Sequence, residues 1–574
     1  MEKIKQKAVA VYHRLTSGLH RKFLLAIVIN TAFILILNTF KPIRLTVNDD
    51  YAMELMLTGA YGLRSGFDVF NNIVLGTMLT WLYTLLPTVN WYSLLLVGTV
   101  ICSFSIYDAI LIDRYGFRSG GLLAALITSL FEALALYTLQ WTICAYLCAL
   151  GSISLFVYSS SCVGRKQHGC LWGASVFFVV AFMIRWAAAS YVAVLLIAYG
   201  LFTLCTNHRA KALTVSIVST LTVCLLLGIV NHVCYNADPQ WKEYLEYNNL
   251  RSELVDYYCP TYDEAPKLYK SIGWTRNDLK LFLSFVTPDD SKFSAANLKK
   301  IIAARDSYQT PSSSLTVTKT ILSLYKGLTS SATSNCILLL FITAFFCCLF
   351  FSDQIVLNIG LAVAPIAATT VLLFKGRALP RVYLPLFVIS LMLSFLLSDP
   401  GLLNEFRQRA ASHLGAIKKL IFVLAIIGTI CLGQITAFSI SPMKYNIDTT
   451  SFAALDAYAA KHKNWTFVVL PDARLGPRNL CYSIIQAPTN GSLSNIFPLG
   501  GWEQRTPYYY NFEKNNNIKN IIKDLMTKDN YYIVPLDYGP LIIRYIRENY
   551  GKIVKLKTVT TVGSMKICKV VVIK

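Results

Sequence analysis

Eleven stretches of this chain are apolar over lengths that cross a bilayer, roughly 17 to 25 residues, and no other feature narrows its fold as far. They lie at 23–40, 91–112, 119–138, 141–162, 212–233, 335–351, 354–374, 382–398 and 420–440, with 170–205 long enough for two spans bent at Arg185. The composition agrees: 55% of the 574 residues are hydrophobic, 15% are charged, and the mean hydropathy is +0.49. Such a balance excludes an ordinary soluble enzyme and fits an α-helical polytopic membrane protein. The formal net charge of +22 would suggest nucleic acid in a soluble chain. In this one it is assigned to basic cytoplasmic loops and anionic headgroups, and no nucleic-acid partner is expected.

Arg14, Arg21 and Lys22 precede the first run, which ends at "NTFKPIR" without a small-residue cleavage site. It is expected to be an uncleaved span with a cytoplasmic N-terminus. The run 69–87 decides the topology. Counting it as a span would put the basic stretches 113–120 and 164–169 outside; reading it as an interfacial helix puts them inside, with 206–211 and 404–419. The positive-inside bias favours the interfacial helix. The loop 41–90, the insertion 234–334 and everything past 441 then share the outer face. In the insertion, 287–305 reads as a turn, a cap and a helix, with Asp289 and Asp290 as turn residues. The chain divides into a transmembrane part, 1–440, and a tail, 441–574, whose helix-then-strand alternation predicts an extracytoplasmic α/β domain.

Most of the fifteen cysteines sit in apolar runs as small hydrophobes. Cys234, Cys259, Cys481 and Cys568 fall in polar segments where pairing is an option. No Cys/His spacing marks a metal site.

Three groups of residues carry chemical interest. Asn48, Asp49 and Asp50 directly follow the first span, in "RLTVNDDYAMELM". Carboxylates that close to hydrocarbon are costly unless used. The competing reading is structural, a helix cap with first-turn acids to which Glu54 adds; one Asp capping while the other faces a cavity satisfies both. Second, "FKGRALPRVYLP" puts Lys375, Arg377 and Arg381 in a short outer loop, where cations should be scarce. That placement suggests an anion site, or else a headgroup anchor; arginine's planar fork suits phosphate. Third, Arg185 interrupts an apolar stretch beside Trp186, either to snorkel or to reach the same anion. Among intramembrane acids, Asp108 is expected to pair with Arg114, and Glu132 to face the outer cavity or a neighbouring helix. The aromatic stretch 506–517, "TPYYYNFEKNNN", offers faces for stacking on sugar rings, or is plain domain surface.

An acidic pair after the first span, an interfacial helix before the second, and "GRALPRVYLP" opening a late span together resemble the GT-C superfamily of membrane glycosyltransferases. The polyprenyl-phosphate-sugar-dependent mannosyl- and aminoarabinosyltransferases are the most similar group. The likeness covers about residues 20 to 440. Val382 separates Arg381 from Tyr383, where many members have Arg-Tyr-Leu-Pro unbroken. The resemblance implies inverting transfer of a sugar from a polyprenyl-phosphate donor to a cell-envelope glycan, lipid or protein. It implies Asp49 as base with Asp50 second, and Lys375, Arg377, Arg381, Arg185, Glu54 and Tyr383 as the substrate-binding set. It places the protein in a bacterial plasma membrane. No cofactor is expected; one acidic pair is thin support for a divalent cation, and metal dependence stays open. The rival readings are a flippase for lipid-linked oligosaccharide and a glycan ligase. The first is disfavoured because the chain shows no internal repeat and its charges gather at one interface.

Overall fold

In the computed structural model, residues 18–206, 210–308, 322, 341, 355–374, 379–399, 401, 449–470 and 483–574 are described. The expected spans at 335–351 and 420–440 lie outside them, as do Lys375, Arg377 and Cys481.

The transmembrane part opens with α1 (Leu19–Phe40), the short α2 (Asn48–Thr58), α3 (Ile73–Leu85) and α4 (Trp91–Ile127). A π-helical turn, Thr128–Glu132, leads into α5 (Ala133–Tyr137). Then come α6 (Trp141–Ser159), α7 (Gly164–Ile184), α8 (Trp186–Thr206) and α9 (Lys211–Ala237). Among the described residues eight helical stretches are long and apolar enough to cross a membrane. One, Trp91–Tyr137, has 47 residues, which would reach about 70 Å if straight, twice a hydrocarbon core. It folds back at Gly116, whose φ of 77° and ψ of 165° are not helical. The returning limb packs so tightly that a Cβ on Gly120 would lie 2.3 Å from the Leu111 carbonyl oxygen. The expected spans 91–112 and 119–138 are thus the two limbs of one hairpin, giving nine crossings among the described residues.

That hairpin corrects one expectation. Asp108 does not pair with Arg114. It accepts hydrogen bonds from Asn30 Nδ2 (3.1 Å) and Thr128 Oγ1 (3.0 Å), and Arg114 instead donates to the Ser398 carbonyl (3.2 Å). Lys22 and Lys166 hold Asp113, at 2.6 and 3.1 Å, with Tyr158 as a third donor. Glu132 is buried in the π turn near Asp108, with no partner for its carboxylate among the described residues.

The helix α3 occupies the run expected to be interfacial and is shorter than a span. Asn72 caps it by accepting from the Val74 amide, and Met78, Trp81, Leu85 and Leu86 remain exposed, as a lipid-facing surface should. After α9 the insertion folds as α10 (Pro239–Val255), α11 (Pro266–Ser271), α12 (Arg276–Leu283) and α13 (Ala295–Tyr308). Asp289 accepts from Ser291 and Lys292 just before α13, the turn chemistry expected there. Two further spans, α14 (Ile355–Phe374) and α15 (Pro380–Leu397), are described.

The tail forms α16 (Thr449–Lys461), β1 (Thr466–Val469), β2 (Ile496–Pro498), α17 (Pro507–Asn515), α18 (Ile521–Thr527), β3 (Tyr531–Val534), α19 (Gly539–Tyr550), β4 (Val554–Val562) and β5 (Met565–Val572). Its sheet runs β2-β1-β3-β5-β4; β1 is parallel to β2 and β3, and β4–β5 is an antiparallel hairpin. The chain is therefore a polytopic helical membrane protein with a C-terminal α/β unit. Backbone hydrogen bonds tie that unit to the loops 59–60 and 88–90: Asn90 to Ile485, Ala487 to Thr88, Gly491 to Gly59 and Leu493 to Ala60. Cys234, Cys259 and Cys568 are unpaired.

Candidate active site

The helix α2 follows α1 after the extended segment 41–47 and ends at Gly59, whose φ of 72° suits a left-handed cap. The expected side-chain cap is absent. Val47 occupies the cap position, and Asp49 and Asp50 lie in the first turn, where they complement the helix dipole. Adjacent helical residues point about 100° apart, so the two acids meet different surroundings.

Asp50 points inward and is completely buried. Its Oδ1 accepts from the Tyr92 hydroxyl (2.7 Å) and the Trp141 amide (3.1 Å), while Oδ2 has no partner. Burial pushes its pKa up to about 8, against the two hydrogen bonds and with help from the Asp49 charge. Glu54, one turn on, is likewise buried, beside Asn90 and Ser93, and burial raises it to about 8 as well. It belongs to the packing behind Asp50.

Asp49 points the other way and keeps partial exposure. Burial raises its pKa, opposed by Arg381 and Arg185, whose positive fields reach it. Trp502 turns its indole N–H toward Asp49, short of hydrogen-bond geometry. Arg185 sits at the break between α7 and α8, in extended backbone (φ −157°, ψ 99°). Its guanidinium lies 3.6 Å above the Trp141 ring centroid, and its Nη1 is buried without a partner. Arg381 enters in the first turn of α15, after Pro380. The structure thus brings Asp49, Asp50, Arg185 and Arg381 to one locus from four separate stretches of sequence. Tyr383 is 2% exposed within the packing of α15, away from solvent.

Five further residues join them. Arg251, on α10, is coupled to Asp49 and stacks on Phe285 at 4.7 Å. Trp141 and Trp502 enclose Phe70, at ring separations of 4.9 and 4.8 Å. Glu503 faces Asp49 and Arg251; partial burial holds its carboxyl above the usual range. None carried a motif. Arg251 reads as an ordinary surface arginine in "YNNLRSELV", and the available hint at Trp502–Glu503 was the glycine pair before it in "PLGGWEQR". Nearby, Asp68 is fully buried, accepts from the Asn71 amide (2.9 Å) and is pushed up to about 6 by burial.

The aromatic stretch 506–517 behaves differently from the sugar-stacking expectation. Thr506 caps α17, and Tyr508 and Tyr509 are buried. The Tyr508 hydroxyl bonds the Leu55 carbonyl and the Tyr61 amide, and Tyr510 bonds Asp290. These rings are committed to joining the α/β unit to α2 and to the insertion.

Six charged groups therefore share one electrostatic neighbourhood: Asp49, Asp50, Glu503, Arg185, Arg251 and Arg381. Among the described residues no ion pair closes between any of them. Beside them the indole N–H groups of Trp141 and Trp502 and the Tyr146 hydroxyl also lack partners. Buried polar atoms normally find partners, so a concentration of orphans marks a place for water or ligand. The described residues hold no group of three or more His, Cys, Asp or Glu that could bind a metal.

Neither a known protein family nor a curated protein matches the chain. Among solved structures it is similar to ArnT from Cupriavidus metallidurans. The form bound to undecaprenyl phosphate matches at 12% identity and the apo form at 11%, both with a TM-score of 0.39 over 94% of this chain and 97% of that one. The architecture stands on the helices and sheet described above.

Proposed function

We propose that this chain is an integral membrane glycosyltransferase that moves a sugar from a polyprenyl-phosphate donor to an extracytoplasmic cell-envelope acceptor. The observation that carries this reading is the unpaired arginine cluster at an interfacial carboxylate: Arg185 and Arg381 face Asp49, form no ion pair with it, and leave a buried guanidinium nitrogen open. Arginines kept apart from carboxylates are ready for an anion from outside the chain, and at a membrane surface a lipid phosphate supplies one.

The reaction follows from the placement. The acceptor hydroxyl gives its proton to Asp49 as its oxygen bonds to the anomeric carbon, on the face opposite the leaving group. The bond from that carbon to the phosphate oxygen breaks, and the phosphate departs with the electron pair. Arg185 and Arg381 stabilise the charge that develops on it. Asp49 is the better base of the pair. Its raised pKa strengthens it, and it keeps an exposed edge, whereas Asp50 is committed to Tyr92 and Trp141. Asp50 holds the start of α2 in place.

The orientation follows from charge. Lys22 and Lys166 gather around Asp113 at the other end of the bundle, which makes that end cytoplasmic by the positive-inside bias. The site, the insertion and the α/β unit are then extracytoplasmic. The deciding experiment is native mass spectrometry of the purified protein with undecaprenyl phosphate and with undecaprenol, followed by transfer of labelled sugar from polyprenyl-phosphate donors to envelope extract. Binding of the phosphate alone, together with transfer, supports the reading. Equal binding of both lipids, or no transfer from any donor, overturns it.

A further inference from the structure

The α/β unit covers the site and also enters it. Its strand β2 ends at Pro498, and in open α/β sheets ligands gather beyond the carboxyl ends of parallel strands. The loop leaving that end, 499–506, runs directly to Asp49, and every part of it is fastened. The Leu499 amide bonds the Val469 carbonyl at the end of β1 (2.9 Å), and the Gly501 amide bonds Phe285 (3.2 Å). The Tyr244 hydroxyl bonds the Trp502 carbonyl (2.8 Å), and Gln504 Oε1 accepts from the Thr287 amide and hydroxyl. Arg505 pairs with Asp290 (2.9 Å) and stacks on Tyr247.

These bonds fix one side chain that they do not use. Glu503 has no ion pair among the described residues, and it faces Asp49 and Arg251. Its carboxylate lies over Gly501, where a Cβ would meet Oε2 at 2.3 Å, and Gly501 has φ +109°, which a side chain would resist. A carboxylate held beside another carboxylate is unfavourable by Coulomb repulsion, and a fold that fastens it there without pairing it retains an acceptor of hydrogen bonds. The neighbours are Arg251, Asp49 and the rings of Phe70, Trp141 and Trp502. Carboxylates that take hydroxyl protons, an arginine that donates, and aromatic walls against C–H faces are together the chemistry that recognises a sugar.

We propose that Glu503 binds the acceptor, that this acceptor is a sugar, and that the α/β unit supplies half of the active site. The proposal rests on the transferase reading above and adds to it the class of the acceptor. Asp49 takes the proton of the reacting hydroxyl, while Glu503 accepts from a second hydroxyl of the same sugar and so fixes which one reaches the base.

The test uses the purified full chain, a labelled polyprenyl-phosphate sugar, and the glycan fraction of envelope extract as acceptor. Glu503→Gln keeps the shape and weakens the hydrogen bond; the acceptor concentration for half-maximal transfer rises about tenfold or more. The donor requirement and undecaprenyl phosphate binding stay within about twofold of wild type, and Glu503→Asp recovers part of the loss. The labelled product resists protease. If wild type transfers while Glu503→Gln keeps its acceptor requirement, or if the label is released by protease, the proposal falls and the transferase reading stands. If Glu503→Gln loses lipid-phosphate binding in step with activity, the residue is structural and the proposal also falls. Failure of wild type to transfer or to bind the lipid removes the transferase reading itself, and this proposal with it. Tyr510→Phe, which removes a bond to Asp290 in the helix after the loop and touches no group of the site, serves as the control for folding of this region: it retains the wild-type acceptor requirement to within about twofold.

Discussion

The two ends of α4 treat charge in opposite ways. Asp113, near the fold-back at Gly116, is closed by Lys22, Lys166 and Tyr158. Tyr92, twenty-one residues earlier and about 32 Å away along the helix, touches Asp50 in a neighbourhood of six ionisable groups that close no ion pair with one another among the described residues. A paired charge at a membrane boundary is satisfied by the fold. An open one at the opposite boundary costs stability, and a fold that retains several has a use for them outside itself. The contrast separates charges that hold the bundle from charges that await a ligand, and it can be attacked from both sides.

The largest effect is expected at Asp49. Asp49→Asn removes the base and lowers transfer by about 10²–10⁴-fold, with undecaprenyl phosphate still bound in native mass spectrometry. Arg185→Ala and Arg381→Ala each cost about 10²–10³-fold in transfer, the range for one lost donor to developing charge, and both weaken binding of the lipid phosphate. A loss of activity with lipid binding untouched would detach the arginines from the anion.

The pH dependence has a definite sign. Burial raises Asp49 above the usual carboxylate range, so the ionised base is depleted as pH falls, and transfer declines by up to about tenfold per unit below its pKa. A rate that does not fall as the solution is acidified would contradict Asp49 as base. Stability moves oppositely at Glu54. Its folded pKa of about 8 exceeds the ordinary 4.5, so the folded state keeps a proton that the unfolded chain has released. That contribution is full below pH 4.5 and is lost as pH rises toward 8, by up to about 1.4 kcal/mol per unit. In Glu54→Gln the fall of melting temperature between pH 5 and 8 becomes shallower. The smallest effect belongs to the closed end: Asp113→Asn costs about 1–3 kcal/mol through its lost charge-assisted bonds, and leaves lipid binding and transfer unchanged. A loss of lipid binding in Asp113→Asn would erase the contrast between the two ends.

Much of this arrangement is legible in the sequence because it rests on local pattern. Apolar length announces the spans, the run 69–87 announces α3, and helix-strand alternation announces the sheet. Asp49, Arg185 and Arg381 stood out because each violates a membrane rule where it occurs. Arg251, Trp502 and Glu503 violate nothing locally; they matter only because the insertion and the loop after β2 fold over α2, and no periodicity encodes that. The same cause misled at Tyr508 and Tyr509, which look like open aromatic faces until the Leu55 carbonyl and Gln504 engage them. Asp108 and Arg114 look like partners only while the hairpin at Gly116 is unknown, since Asn30 and Thr128 come from elsewhere in the chain.

The backbone bonds from Ile485, Ala487, Gly491 and Leu493 to the loops 59–60 and 88–90 bear on how such proteins can be recombined. A graft that exchanged everything past residue 441 for the tail of another protein would cut through a seam shared by both halves. It would leave the carbonyls of Thr88, Gly59 and Ala60 without their donors at the edge of the site. A working chimera has to bring along the segment 483–493 together with the loops 59–61 and 86–90 that it stitches. The seam makes the two halves a single unit of inheritance, although each has its own architecture.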